Sequence, residues 1–462
     1  MAIARTTCNQ AVRPLTATFG SRGWSVGGCA LDDLADRYGT PLYVMDEATI
    51  ASAASAFVLG LRSAYPGPSE ILYASKALCN TGINRLIHDL GLGTEVVSGG
   101  ELATALAAGI PADRIVFQGN AKSPDEIDRG LAAGVGRFMV DNLDEIEVLQ
   151  ARAAEVGRHA RILLRINPGI EAHTHEFIRT GHVQSKFGIR PGAALDYALE
   201  RLAASPGLEF MGLQIHVGSQ IFDIAPFVEA ADVGLNLAAD LAGRHLAVRE
   251  LDLGGGLGVA YTPADDPPSI ADLAATLGQS VAQGCERRGL PLPKLMLEPG
   301  RAIVATAGCT VYQIVAEKRT HERQYLLVDG GMADNPRPAL YDATYSCDPV
   351  AGRMGNRGDA PLGAESIWTV AGKACEEGDV LIKEASLPSI GGKSRLVLWT
   401  TGAYCFSMAS NYNRLARPAM VLVGDGRAAL VRERETYADL LALDRLPPRF
   451  VSVSTRSGQA SP

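Results

Sequence analysis

The chain has 462 residues, 47 % hydrophobic and 20 % charged, a globular composition too long for one small domain. Its net charge of −8 leaves no basic footprint for nucleic acid and disfavours an anionic membrane surface. No apolar run is long enough for a bilayer, and the opening "MAIARTTCNQAVRPL" lacks the apolar stretch of a signal peptide.

In chain order, residues 1–43 form a leading segment that includes "GWSVGGCALDDLADRYGTPLYV". The stretch "DEATIASAASAFVLGLRSAYP" (46–66) then reads as a helix. Eight strand-like runs follow: "ILYAS" (71–75), "TEVVS" (94–98), "IVFQ" (115–118), "RFMV" (137–140), "RILLRI" (161–166), "MGLQIH" (211–216), "ELDL" (250–253) and "LMLE" (295–298). Helical patterns such as "GGELATALAAG", "SPDEIDRGLAAG" and "NLDEIEVLQARAAEVG" separate them. Strands alternating with helices predict a parallel sheet, and eight is the number that closes a (β/α)8 barrel over 44–304. An open doubly wound sheet is the alternative, because periodicity does not reveal closure. After about residue 303 the rhythm changes to strands with little helix, as in "CTVYQIVAEKRT", "QYLLVDGGM", "SIWTVAGKACEEGDVL", "SRLVLWTTGAYC" and "AMVLVGDGRAALVRER". The expected fold is therefore α/β plus all-β: a TIM-like barrel with a second β-sandwich or barrel domain, built from 305–452 and the segment 1–43. A flexible tail, 453–462, ends the chain. Eight scattered cysteines without a CxxC pair or zinc spacing suggest a reduced, cytoplasmic protein without a metal.

In such a barrel, chemistry collects where strands end at their carboxyl side. Those ends carry Lys76, Ser98 with "GGE", Asn120 with Lys122, Asp141, Arg165, His216, Gly254–Gly256 and Glu298 with "PGR". Any one polar residue after a strand is usually a turn; all of them together indicate one concave site. "LDLGGGLGV" exposes consecutive backbone N–H groups that suit a phosphate. It is neither a dinucleotide fingerprint, since the third glycine is misplaced, nor a P-loop, since no Lys-Ser/Thr follows. A nucleotide-dependent oxidoreductase is thereby disfavoured. A strand-end lysine, a phosphate nest, a carboxylate and a flat histidine together point to pyridoxal 5'-phosphate. A cofactor-bonding role would explain why Lys76 ends an apparently buried strand.

"YASKAL", "EVVSGGEL", "LRINPGIEAHTHEFIRTGHVQSKFGI", "HVGSQI", "LDLGGGLGV", "EPGR", "DGGMADNPRPALY", "GKACEEGD" and "GAYCFSMASNYN" resemble the diaminopimelate decarboxylase family, from about residue 24 to 452 and in the family's order. These are fold-type III pyridoxal phosphate enzymes related to ornithine decarboxylase and alanine racemase. The resemblance implies that Lys76 is the Schiff-base lysine and that His216 stacks on the cofactor ring. Ser219, Gly254, Gly255, Gly256 and Gly300 fall on the phosphate side, and Glu298 faces the pyridine nitrogen. Arg301, Arg337 and Tyr341 match substrate-holding residues, with Arg301 also near the cofactor, and Tyr404 matches a tyrosine near both. Cys375 matches the proton donor and Glu376 a substrate-binding carboxylate, both entering from the other subunit of a homodimer. One departure is Glu95, where the family often has Asp; the residues around Cys375 also vary.

The implied reaction is decarboxylation of meso-2,6-diaminopimelate to L-lysine and CO2. Glu298 favours a protonated ring, as a decarboxylase needs, whereas racemases of this fold place an arginine there. The two arginines offer planar forks for a second carboxylate, which an ornithine or lysine decarboxylase does not require. A non-catalytic pyridoxal phosphate carrier would need neither those arginines nor Cys375. His173, His175 and His182 cluster in sequence, but their spacing does not put metal ligands on one helix face, and an active-site-covering loop is the preferred reading.

Overall fold

The computed structural model describes residues 7–170, 185–351, 366–388 and 394–447. Eight parallel strands close a barrel in strict chain order: Ser69–Ala74, Gly93–Val96, Ile115–Phe117, Arg137–Val140, Ala160–Ile166, Leu208–Ile215, Glu250–Asp252 and Lys294–Leu297. Five of the helices between them start on side chains that satisfy exposed N–H groups. Asn80, Ser98, Ser123, Asn142 and Ser269 each accept from a backbone N–H one turn on, and Ser123 with Glu126 completes a capping box. Helix Glu47–Ala64, which precedes the first strand, lies against helix Ile270–Arg288 after the seventh and so completes the outer ring. Gly60 permits that approach, since a Cβ there would sit 2.9 Å from the Ala271 carbonyl.

The pleat turns alternate residues inward, and this stacks the barrel interior in tiers. Leu72, Val116, Met139, Leu163 and Met296 form one apolar cluster from five strands. Two residues earlier on those strands stand Glu70, Arg114, Arg137, Arg161 and Lys294. Here Glu70 pairs with Arg114 at 2.8 Å and Lys294 at 2.5 Å, while Arg137 pairs with Glu250 at 2.5 Å. Two residues later stand Ala74, Gln118, Asp141, Arg165 and Glu298. Strand register adds Glu95 beside Ala74, and Gln214 and Asp252 beside Arg165. The carboxyl end of the barrel is thus floored by polar groups.

A nine-stranded mixed sheet forms the second domain. Its central strand, Gly308–Arg319, pairs with Gln324–Val328, Arg395–Trp399 and Leu42–Asp46. Leu42–Asp46 also pairs in parallel with Ala419–Gly424, so the chain visits this sheet before entering the barrel, and that strand straddles the expected boundary at 43/44. The leading segment contributes a small three-stranded sheet, 18–30, whose Val26 packs with Leu42, Val311 and Trp399. Earlier in it, Asn9 donates to the Pro268 carbonyl and holds the barrel's seventh loop. The tail, 453–462, lies outside the described residues.

Candidate active site

A cavity of about 670 Å³ opens over the carboxyl ends of the barrel strands and reaches the second domain. Lys76, His216, Ser219, Gly254, Gly255, Gly256, Glu298, Gly300, Arg301, Arg337, Tyr341 and Tyr404 all line it; Cys375 and Glu376 do not. The first strand ends at Ala74, one residue before the expected Ser75, and Ser75–Ala77 forms a single 3-10 turn that carries Lys76. The Tyr404 N–H donates to the Ala77 carbonyl at 2.8 Å, and a Cβ at Gly300 would press within 3.0 Å of Ala74 and Ala77. The turn is therefore clamped from two sides. Tyr404 itself has φ +62°, a strained conformation for a side-chain-bearing residue. Lys76 Nζ donates to both Glu95 oxygens, at 2.7 and 2.8 Å. The lysine side chain is 42 % exposed, facing the cavity, while Glu95 is 2 % exposed beneath it. Burial works against the ammonium, but Glu95, then Tyr404 and Glu298, outweigh it and hold the Lys76 pKa above the usual lysine value.

The glycine turn has no room for side chains. A Cβ on Gly254 (φ +66°) would lie 2.8 Å from His216 Nδ1, one on Gly255 would lie 2.2 Å from the Glu298 carbonyl, and one on Gly256 (φ +129°) would lie 2.4 Å from the Gly218 carbonyl. Burial, Arg165 and Lys76 together hold the His216 pKa well below its ordinary value, so the ring is neutral at pH 7.

Glu298 is 5 % exposed and accepts from Gln118 Nε2 at 2.7 Å and Gln214 Nε2 at 3.0 Å. Burial, followed by the Glu95 charge, pushes its pKa up to about 7. Beside it Asp252 is fully buried. One oxygen accepts from the Gly254 N–H at 2.8 Å, and the other has no partner of its own among the described residues. Burial and Glu298 hold Asp252 well above the usual carboxyl range. A cationic ring nitrogen against this carboxyl floor would supply the charge the pair lacks. The glycine cradle, the reachable lysine and these carboxyls fit a phosphorylated pyridine aldehyde.

Arg301 and Arg337 face the cavity at 6 % exposure each, and neither has a carboxylate within ion-pair distance among the described residues. Arg301 donates to the Tyr261 hydroxyl at 2.7 Å and Ser219 Oγ at 2.9 Å, lies 4.7 Å from the Tyr404 ring centre, and has a buried Nε without a partner. Arg337 donates to the Tyr345 hydroxyl at 2.5 Å and lies 4.6 Å from the Tyr261 ring centre. Buried guanidiniums held by hydroxyls and ring faces, with no carboxylate among the described residues, carry a desolvation cost that an anionic ligand would offset.

Cys375 and Glu376 sit on the surface in an ordered loop. The Asp379 carboxylate accepts from the Met332 N–H at 2.7 Å and the Ala374 N–H at 2.8 Å. The Cys375 N–H donates to Asn413 Oδ1 at 2.7 Å, and Glu376 accepts from the Tyr412 hydroxyl at 3.2 Å. The loop thus presents an exposed thiol and an exposed carboxylate away from their own chain's cavity.

Sequence reasoning noted Arg165 at a strand end and Glu95 as a departure without giving either a role, and it left out Gln118, Gln214, Asp252, Tyr261 and Tyr345. Gln118 and Arg165 stand two residues beyond the apolar tier on their own strands, where period-2 counting finds them, and Glu95, Gln214 and Asp252 are level with that polar tier through strand register. Nothing local marks the two tyrosines. His173, His175 and His182 lie outside the described residues.

A family model described as pyridoxal-dependent decarboxylase, pyridoxal binding domain, matches residues 52–305. Diaminopimelate decarboxylase of Synechocystis sp. is 43 % identical over 96 % of this chain and 95 % of its own. That of Bacillus subtilis is 42 % identical over 91 % and 94 %. The crystal structure of diaminopimelate decarboxylase from M. jannaschii in co-complex with L-lysine superposes with a TM-score of 0.87 at 33 % identity, covering 94 % of this chain and 99 % of that one.

Proposed function

We infer the chemistry of the site from one premise: the chain belongs to the diaminopimelate decarboxylases, within the pyridoxal-dependent decarboxylases. It converts meso-2,6-diaminopimelate to L-lysine and CO2, the closing step of lysine biosynthesis. The observation that carries this reading is the pair of buried guanidiniums that have no carboxylate counter-ion among the described residues and face the cavity that holds Lys76. A substrate with a second carboxylate supplies that counter-ion.

Bound pyridoxal phosphate supplies a sink for the electron pair left on Cα when CO2 departs. We assign Lys76 Nζ the covalent hold on it. To bond, that nitrogen must shed a proton, and Glu95 stands 2.7 Å away to receive it. Gly254–Gly256 and Ser219 would hold the phosphate end, and neutral His216 would serve the ring face. Glu298, its two oxygens oriented by Gln118 and Gln214, would supply the carboxylate for the ring nitrogen. Arg301, Arg337 and Tyr341 hold the distal amino acid group, whose L centre survives in the product, so CO2 leaves from the D centre. Tyr404 keeps the Lys76 turn in register.

The proton for Cα comes, on this reading, from Cys375 of the partner subunit, and Glu376 of the partner subunit meets the distal ammonium. The support is that both groups are exposed on a pinned loop outside their own cavity. A symmetric dimer then has two equivalent sites. We divide the chain into a cofactor-binding barrel (44–304) and a β domain (305–452, with 1–43). No described helix is long and apolar enough to cross a membrane, and all eight cysteines are free thiols, which suits the reducing cytoplasm assigned to it. The test is product analysis of purified holoenzyme with each diaminopimelate stereoisomer. Equal amounts of L-lysine and CO2 from the meso form support the assignment, and no L-lysine refutes it.

A further inference from the structure

We propose that Tyr261 is a positioning residue that fixes the spacing of Arg301 and Arg337 and thereby sets where the distal carboxylate of the substrate docks. The proposal rests on the assignment of those arginines to substrate, and extends it to a residue with a different task. Tyr261 is 5 % exposed and lies in the loop between the glycine turn and helix Ile270–Arg288. It uses both ends of its side chain. The hydroxyl accepts from Arg301 Nη1 at 2.7 Å, and the ring carries Arg337, whose guanidinium carbon is 4.6 Å from its centre. Arg301 follows the last barrel strand, while Arg337 comes from the second domain. One tyrosine therefore bridges two cations that the fold delivers from different domains.

Tyr261 is itself held. Its N–H donates to Asp265 Oδ2 at 2.9 Å, and its carbonyl accepts from Ser346 Oγ at 3.1 Å. Its ring meets Tyr345 edge-on, centres 5.3 Å apart, and the Tyr345 hydroxyl accepts from Arg337 Nη1 at 2.5 Å. Like charges brought together repel, and each guanidinium keeps its place here through hydroxyls and ring faces, Arg301 also through Ser219 Oγ. A carboxylate partner within the protein would hold either arginine as firmly but would neutralise it. Phenols orient the forks and leave their charge available to a ligand.

The test uses holoenzyme and two probes. L-lysine carries the carboxylate to be recognised, and cadaverine is the same diamine without it. Tyr261→Phe removes only the hydroxyl, and Tyr261→Leu removes the ring as well. Calorimetric titration should show L-lysine weakened about ten-fold in Tyr261→Phe, the size of one charge-assisted hydrogen bond, and weakened further in Tyr261→Leu. Cadaverine affinity and kcat at saturating substrate should stay within about two-fold of wild type in Tyr261→Phe. Unchanged L-lysine affinity in Tyr261→Phe, or equal weakening of both probes, overturns the positioning role. Arg337→Met separates this from the reading beneath it. If that variant also binds L-lysine normally, the arginine assignment fails; if it binds weakly while Tyr261→Phe does not, only the role of Tyr261 fails.

Discussion

Replacing Arg337 by methionine should cost function and leave stability nearly untouched. Arg337 is 6 % exposed, and among the described residues it has the Tyr345 hydroxyl and two aromatic faces but no carboxylate. The hydrogen bond contributes ~1.5–3 kcal/mol and the ring contacts ~0.5–2 kcal/mol. Against them stands the desolvation of a guanidinium, still several kcal/mol in real proteins. These terms nearly cancel, and methionine fills much of the vacated volume, so the cofactor-free variant should unfold within ~1–2 kcal/mol of wild type in either direction. Catalysis has no such cancellation. Losing the partner of a buried substrate carboxylate costs ~2–5 kcal/mol, or roughly 30- to several-thousand-fold in kcat/KM. Urea unfolding without cofactor and steady-state decarboxylation with it measure the two quantities on one preparation. A variant destabilised by more than ~3 kcal/mol that keeps kcat/KM within about three-fold of wild type would refute the reasoning, since Arg337 would then be a structural residue.

Borohydride reduction of holoenzyme followed by peptide mapping should place the cofactor on Lys76; label on Lys122 or Lys186 instead would remove Lys76 from its role. Glu298→Gln tests the buried carboxyl. Because folding raises the Glu298 pKa from the ordinary 4.5 to about 7, the native state binds the extra proton in that window. Its contribution to stability is therefore full at low pH and lost as pH rises to 7, roughly 3 kcal/mol in all. Urea unfolding without cofactor should show the variant gaining on wild type between about pH 4.5 and 7, and a pH-independent difference would contradict this. Lys76→Ala and Cys375→Ala should each be nearly inactive. Allowed to exchange subunits in equal amounts, they should recover roughly a quarter of wild-type activity, because each hybrid dimer has one intact site. Demonstrated exchange without recovery would place Cys375 in its own chain's chemistry or in none.

Much of this was legible in the sequence because it is local. Barrel strands are short apolar runs, five of the helices between them open on an Asn or Ser cap, and the strand-end groups Lys76, His216 and Glu298 fall at carboxyl ends where parallel barrels place chemistry. Closure was not legible, since it depends on the pairing of Lys294–Leu297 with Ser69–Ala74 across nearly half the chain. The same holds for strand Leu42–Asp46, whose partners lie beyond the barrel. Glu95 looked like a strand residue with a longer side chain than expected; only register with Ala74 brings it under Lys76. Tyr261 and Tyr345 share one edge contact from two domains, and no spacing rule anticipates that. Cys375 posed the opposite problem: the motif's resemblance implied a proton-donor role, while its exposure on a pinned loop became visible only in the structure.

The most direct test of a carboxylate-reading decarboxylase is a side-by-side measurement of kcat/KM for CO2 release from meso-diaminopimelate, L-lysine and L-ornithine. The last two lack the second carboxylate that Arg301 and Arg337 are placed to bind. Expected is a preference for meso-diaminopimelate of roughly 30-fold or more, the lower end of what a buried charged contact contributes. Comparable rates on all three, or faster release from ornithine or lysine, would mean that the two guanidiniums do not read the substrate.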